Sequence, residues 1–216
     1  AVRACVKLRT VLLADAALMG LVWWFSSRSP QGAAQASAAS PGCPLPPAVG
    51  KGNAPLQSDV PDSLRPFTLA AATLKPLAGF SIDARVLSRE DYNTGREAEL
   101  SPTDLALGWE RMREDQVISQ LSISQSSRWY SYRWKQEPPL PPQEIATSSA
   151  NMHMIPANAA VADALNAIRK GDNVRIDGWL IEANAPDGWR WRSSTTREDA
   201  GGGACEVIYV CSISKQ

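Results

Sequence analysis

Histidine is almost absent: the 216 residues hold one, His153, which excludes a metal centre built on several imidazoles. Net charge is absent too, with 22 Lys+Arg against 22 Asp+Glu. From Leu64 onward 17 basic residues meet 19 acidic ones, so the chain lacks the basic footprint that DNA or RNA binding requires. The four cysteines, Cys5, Cys43, Cys205 and Cys211, have no zinc-site spacing. There is no Gly-x-Ser-x-Gly elbow, phosphate loop, dinucleotide fingerprint or haem motif. No cofactor, no metal and no nucleic-acid partner is therefore expected. Phe is scarce at 3, whereas Trp is plentiful at 8, and that imbalance directs attention to interfaces.

Long apolar runs are also missing, with one exception. Thr10 to Phe25 reads TVLLADAALMGLVWWF, preceded by Arg3, Lys7 and Arg9. Sixteen helical residues span about 24 Å against a hydrocarbon core of about 30 Å, and Val6, Leu8 and the stems of Lys7 and Arg9 extend the reach. Residues 1–27 are expected to form a single transmembrane anchor. The alternative is a signal peptide cleaved at Ala34-Gln35-Ala36. Three basic residues before the span against one, Arg28, after it put the N-terminus in the cytoplasm and the rest in the periplasm of a bacterium, anchored in the inner membrane. Trp23 and Trp24 then suit the outer interface and contact with lipid. Asp15 faces a partner helix or is a tolerated carboxyl.

Residues 28–63 are rich in Pro, Ala, Gly and Ser without a hydrophobic period, which reads as a disordered or extended tether. Such a segment cannot bury enough apolar surface to order itself, so order would have to come from something outside the chain. Outside the cytoplasm disulfides persist. Cys205 and Cys211 are six residues apart on one predicted strand, about 20 Å at strand rise, and cannot bond to each other. Cys43 is left to pair with either Cys205 or Cys211, unless all three remain thiols.

Residues 64–216 are expected to form one periplasmic α+β domain. Phe80 to Leu87 alternates as a strand, with Phe67–Leu74 as its neighbour. Ser101-Pro102-Thr103-Asp104 predicts a helix start, since Ser caps, Pro suits the first position and Asp favours the dipole. Asp115–Leu121 predicts a short helix and Arg128–Trp134 a strand with Tyr130, Tyr132 and Trp134 on one face. Asn158–Lys170 predicts a helix stopped by Gly171. Strand Asn173–Ala183 turns at Ala185–Gly188 into a hairpin, and Cys205–Ile213 closes the domain. Short strands with two or three short helices suit a small β-barrel of OB type.

His153 is a candidate general base, with Cys205 or Ser193 as nucleophile; its alternative is a satisfied polar core residue. The stretch from Trp191 to Glu206 is densely polar, able to cradle an anion with Arg192, Arg197 and its Gly run, or simply a solvated loop. Trp129, Trp134, Trp179, Trp189 and Trp191 are candidates for a glycan or peptide groove, or else for core or an interface.

Three stretches, Leu100-Ser-Pro-Thr-Asp-Leu-Ala-Leu-Gly-Trp109, Ser149-Ala-Asn-Met-His-Met-Ile-Pro156 and Trp189-Arg-Trp-Arg-Ser-Ser194 with Gly203-Ala-Cys-Glu206, resemble a family of membrane-anchored bacterial proteins with periplasmic domains. The resemblance implies an exported, anchored domain and carries no activity, cofactor or catalytic residue. The expected function is a non-catalytic accessory or stabilising subunit of a membrane complex, such as an energy-transducing, respiratory or photosynthetic one, partnered by integral membrane subunits. An envelope hydrolase or transferase and a periplasmic glycan- or peptide-binding module are the alternatives.

Overall fold

Apolar residues at every second position of Phe80, Ile82, Ala84 and Val86 oblige that segment to bury one face, and the strand they build runs on in both directions from Ala72 to Asp91. A computed structural model describes residues 42–70, 72–196 and 205–216. Its strands are β1 (Leu56–Ser58), β2 (Phe67–Leu69), β3 (Ala72–Asp91), β4 (Thr103–Gly108), β5 (Ser122–Ser126), β6 (Trp129–Arg133), β7 (Ser149–Pro156), β8 (Asn173–Asn184), β9 (Arg190–Arg192) and β10 (Glu206–Lys215). The helices are short: α1 (Arg96–Leu100), α2 (Asp115–Ile118), α3 (Pro142–Thr147) and α4 (Ala159–Asn166), with a 3-10 turn at Glu110–Arg113. Over the described residues the domain is therefore α+β and strand-rich, with four short helices where two or three were expected. Among the described residues no helix is long and apolar enough to cross a membrane, and the apolar run at Thr10–Phe25 lies outside them.

The pairings return on themselves. β3 pairs antiparallel with β4, β4 antiparallel with β7, β7 parallel with β10, β10 antiparallel with β8, and β8 antiparallel with β3. This ring-like sheet encloses Phe80, Ile82, Leu105, Leu107, Met152, Met154, Ile176, Leu180, Ile208 and Val210. Each fully buried side chain of this size stabilises the fold by about 1.5–3 kcal/mol. Register shifts at Pro76/Ala78, Val86/Ser88 and Val210/Ser212 bend the long strands around the ring. Gly178 admits the closest approach: a Cβ there would meet the Tyr209 carbonyl oxygen at 2.1 Å. Helix α4 packs Val161 and Leu165 against the same core. It begins at Asn158, whose side chain accepts from the Val161 N–H at 2.9 Å, and ends at Asn166 with Ala167 as its cap, short of the expected Lys170; Gly171 at φ 91° then turns the chain towards β8.

Two sequence expectations are corrected. Ser101–Asp104 does not open a helix: α1 ends at Leu100, and Thr103–Gly108 is β4, buried at all six positions. Pairing with β3 on one side and β7 on the other outweighs a tetrad that locally reads as a cap. Phe67–Leu74 is not one strand either, because the chain turns after β2 and Phe67 pairs back on Leu74 of β3.

The segment read as a tether contains, over residues 42–63, a strap laid on the outer face of the ring. Its order comes from the chain's own domain. Val49 is buried, β1 pairs with β3, and the Trp179 indole N–H donates to the Pro44 carbonyl at 2.8 Å. The Val49 N–H donates to Ser81 Oγ at 2.8 Å, which in turn donates to Asp177 Oδ1 at 2.6 Å. Cys43 stands at disulfide-bonding distance from Cys211, with Cα atoms 5.6 Å apart, while Cys205 lies outside that pair.

Burial raises the Asp177 carboxyl above its ordinary range, partly offset by the Ser81 hydroxyl and by Arg175. A buried acid with a raised pKa favours folding most when protonated, so this contribution is lost as pH rises above 3.8. Asp177→Asn keeps the acceptor for Ser81 and should raise the melting temperature at neutral pH but not near pH 3. Melts across that range, with no pH-dependent difference between the two proteins, would contradict this.

Candidate functional site

Because Leu105, Met152 and Met154 face the ring interior, their neighbours Asp104 and His153 face outward. The two are register partners on β4 and β7. Asp104 is fully buried, and His153 and Asn151 are 4% exposed. Asp104 Oδ1 accepts from Arg128 Nη1 at 2.9 Å and lies 2.9 Å from His153 Nδ1 without a hydrogen bond between them. Asn151 Nδ2 donates to Asp104 Oδ2 at 3.2 Å and to the Arg128 carbonyl at 3.0 Å, and Gln125 Nε2 donates to Asn151 Oδ1 at 2.6 Å.

Arg128 is the cover of this cluster. It follows Ser127 in the two-residue turn of the β5–β6 hairpin, and both have positive φ, 51° and 64°. Such turns usually take Asn-Gly because L side chains resist that conformation. Here the side chain and backbone of Arg128 are tied from several directions. Its Nη2 donates to the Ser101 carbonyl at 3.0 Å and its N–H donates to the Tyr92 hydroxyl at 2.8 Å. The guanidinium stands 4.2 Å from the Tyr92 ring centre and 5.5 Å from that of Trp191. Trp191 also packs on His153, with ring centres 4.9 Å apart.

The proposed nucleophiles stand differently. Ser193 is buried; its hydroxyl donates to the Ser194 carbonyl at 2.7 Å and accepts from the Val207 N–H at 3.0 Å, so it is engaged with backbone on both sides. Val207 is the register partner of His153. Cys205 lies one residue before β10, partly exposed, with its carbonyl accepting from the Ser194 N–H at 3.0 Å.

The tryptophans divide into separate groups. Trp129 is 48% exposed on the outer face of β6. The opposite face carries a row of Tyr130, Tyr132 and Trp134, with ring centres 5.5 Å and 6.3 Å apart. Burial pushes the Tyr130 phenol up to about 12. Trp134 lines a shallow depression with Ser119, Leu121, Arg133 and Glu137. Trp189 lies beneath Arg96, whose guanidinium grips Asp187 at 2.6 and 2.8 Å. Trp179 is buried against the strap, its indole on Pro44, and is no part of a groove; Trp191 alone of the five joins the cluster at His153.

Arg192, read as part of an anion cradle, is instead paired with Glu182 at 2.6 Å, beside Arg190 at 2.5 Å. The Arg192 guanidinium, followed by Arg190 and Asn184, holds the Glu182 carboxyl down at about 2. A depressed carboxylate pKa contributes stability that is present above the ordinary value of 4.5 and is lost as pH falls towards 2. Acid melts of Glu182→Gln should therefore fall less steeply than wild type across that window; parallel curves would contradict the assignment. Arg197 and the Gly run, like Asp15, Trp23 and Trp24, lie outside the described residues.

Asp104, Arg128, Asn151 and Tyr92 are the site residues that sequence reasoning missed. The alternation of Asp104 and Ala106 with Leu105 and Leu107 was the available signal for the first. Ser127-Arg128 between two alternating runs was the signal for the second. Among the described residues no group of His, Cys, Asp and Glu could hold a metal ion. No family model, curated protein or solved structure matches this chain.

Proposed function

We propose that this chain is a non-catalytic accessory subunit of a bacterial membrane complex, anchored in the inner membrane by its N-terminal helix and presenting an OB-like binding domain on the periplasmic side. The observation that carries the non-catalytic reading is the closed cluster of Asp104, Arg128, Asn151 and His153. The sole imidazole sits against a carboxylate already neutralised by a guanidinium, under the Trp191 ring, and the Ser193 hydroxyl is bonded to backbone. A general base needs its nucleophile within hydrogen-bond reach, so these engagements favour a structural imidazole over a hydrolase or transferase.

The OB-like reading rests on connectivity. Numbering the ring strands along the chain as first (β3) to fifth (β10), the order is first, second, third, fifth, fourth and back to first. The third–fifth pair is the parallel one, and α4 lies between the third and the fourth. OB-folds bind ligands on the face of the second and third strands, between the first–second and fourth–fifth loops. In this chain those are β4 and β7, with Tyr92 and Arg96 on one flank and Trp189 and Trp191 on the other. Export is supported by the Cys43–Cys211 pair, since disulfides persist outside the cytoplasm.

The test is purification of the tagged full chain from its native membrane in mild detergent, with mass spectrometry and sizing. Stoichiometric recovery within one large complex, unaffected by His153→Ala or Cys205→Ser, is expected. Recovery as a lone monomer, or an envelope defect specific to His153→Ala in a folded protein, would overturn the reading.

A further inference from the structure

The cluster at Asp104 holds a cation, and the chain itself supplies it. We propose that the hollow formed by Asp104, the Ser101 carbonyl, Tyr92 and Trp191 is a receptor for an arginine side chain of a partner protein, and that Arg128 is its built-in stopper. The proposal rests on the binding-domain reading above in taking the outer face of β4 and β7 as a docking face.

The composition of the hollow selects the ligand. Its floor is a fully buried carboxylate 2.9 Å from the bound nitrogen, its rim a carbonyl oxygen at 3.0 Å, and its walls two aromatic rings at 4.2 Å and 5.5 Å. A carboxylate and a carbonyl accept the forked donors of a guanidinium, while ring faces attract its planar, weakly hydrated cation. The same hollow repels anions and offers a neutral group no partner for the charge on Asp104.

The stopper is held under backbone strain. Arg128 at φ 64° follows Ser127 at φ 51°, where a hairpin chosen for its turn alone would carry Gly or Asn. β5 and β6 form their own two-stranded sheet outside the ring, and the chain leaves them through Pro138, Pro139, Pro141 and Pro142. The inner face of the hairpin, Ile123, Tyr130, Tyr132 and Trp134, packs on the cluster of Leu87, Ala106 and Ile145, and Gln125 and Tyr130 bond to Asn151 and Ser149 of β7, so the movement the proposal needs is confined to the tip at Ser127 and Arg128. Exchange of one guanidinium for another ends with Asp104 paired again, so the bound state strands no buried carboxylate.

The experiment is calorimetric titration of the full chain in mild detergent with N-acetylarginine amide, using N-acetylcitrulline amide as the neutral isostere. Arg128→Gly, which empties the hollow and suits a positive φ, should bind the arginine probe at least about tenfold more tightly than wild type. It should prefer the arginine probe to the citrulline probe by a similar factor, and lose binding when Trp191→Leu is added. Equal affinities of folded Arg128→Gly and wild type, or of the cationic and neutral probes, would overturn the proposal. Should Arg128→Gly not fold, amide exchange at the Ser127–Arg128 tip of the wild type decides. Faster exchange with the arginine probe than with the citrulline probe supports a displaceable stopper, and unchanged exchange refutes it. A negative result here with intact recovery of the membrane complex removes the cage and leaves the accessory-subunit reading standing.

Discussion

Arg128→Ala should destabilise the domain by about 3–5 kcal/mol, the usual consequence of leaving one partner of a buried ion pair alone. Asp104 has no exposed surface and its pair with Arg128 spans 2.9 Å. Without the guanidinium, its carboxylate retains Asn151 as a hydrogen-bond donor but loses the charge that balances it. Removing both partners tells a different story. Asp104→Leu with Arg128→Met replaces the pair by apolar groups of similar volume and should lose far less than the single change, because no charge is stranded. Arg128→Gly should also lose less than alanine, since glycine accepts φ 64° without strain. Urea unfolding of the four proteins reads these differences directly. A single-mutant loss below about 1 kcal/mol would place Arg128 among exposed ion pairs of little consequence and would contradict the burial argument.

Cys211→Ser is the second large effect. The pair with Cys43 closes a loop with a sequence separation of 168, and removal of a native disulfide costs about 2–5 kcal/mol, more for longer loops. The loss has a local consequence as well. The strap from Cys43 to Ser58 is held on the ring by β1, by the Pro44 carbonyl at Trp179 and by Val49 at Ser81, and a bond at the Cys43–Cys211 pair would fix its leading end. Cys211→Ser, and the wild type under reductant, should therefore melt lower and be cleaved faster between residues 44 and 58. Cys205→Ser should melt as the wild type does, since that thiol is outside the pair. Unchanged melting of Cys211→Ser under oxidising conditions would show that the pair contributes nothing.

Both effects involve contacts distant in sequence, and this explains where reading the chain succeeded. The helix Ala159–Asn166 was legible because its cap and its apolar spacing lie within a few turns of one another, although it ends at Asn166 and does not run on to Lys170 and Gly171. β8 with its hairpin turn, β6 and β10 were legible for the same reason, since alternation is a local pattern. β4 was not. Ser101-Pro102-Thr103-Asp104 satisfies every local rule for a helix start, and what makes Thr103–Gly108 a strand is the presence of β3 and β7 on its two sides. The tether was misread in part because Ala, Pro and Gly cannot order themselves; Val49 and Cys43 do so only against a surface formed by residues far along the chain.

The candidate site divides along the same line. His153, as the sole imidazole, and Trp191, as one of the eight tryptophans, could be singled out from residue type alone. Neither composition nor periodicity could indicate that Asp104, 49 positions before His153, would face it across a strand pair, or that a hairpin tip would deliver Arg128 onto the same carboxylate. Local chemistry decides helices, turns and alternation, because hydrogen bonds and side-chain periods act over a few residues. Register decides which polar groups meet, and register is chosen by how the apolar faces of distant strands close around one core. The alternating pattern of this chain thus specified that a buried sheet would form. Only the closure of that sheet brought a carboxylate, an imidazole, a guanidinium and an indole together.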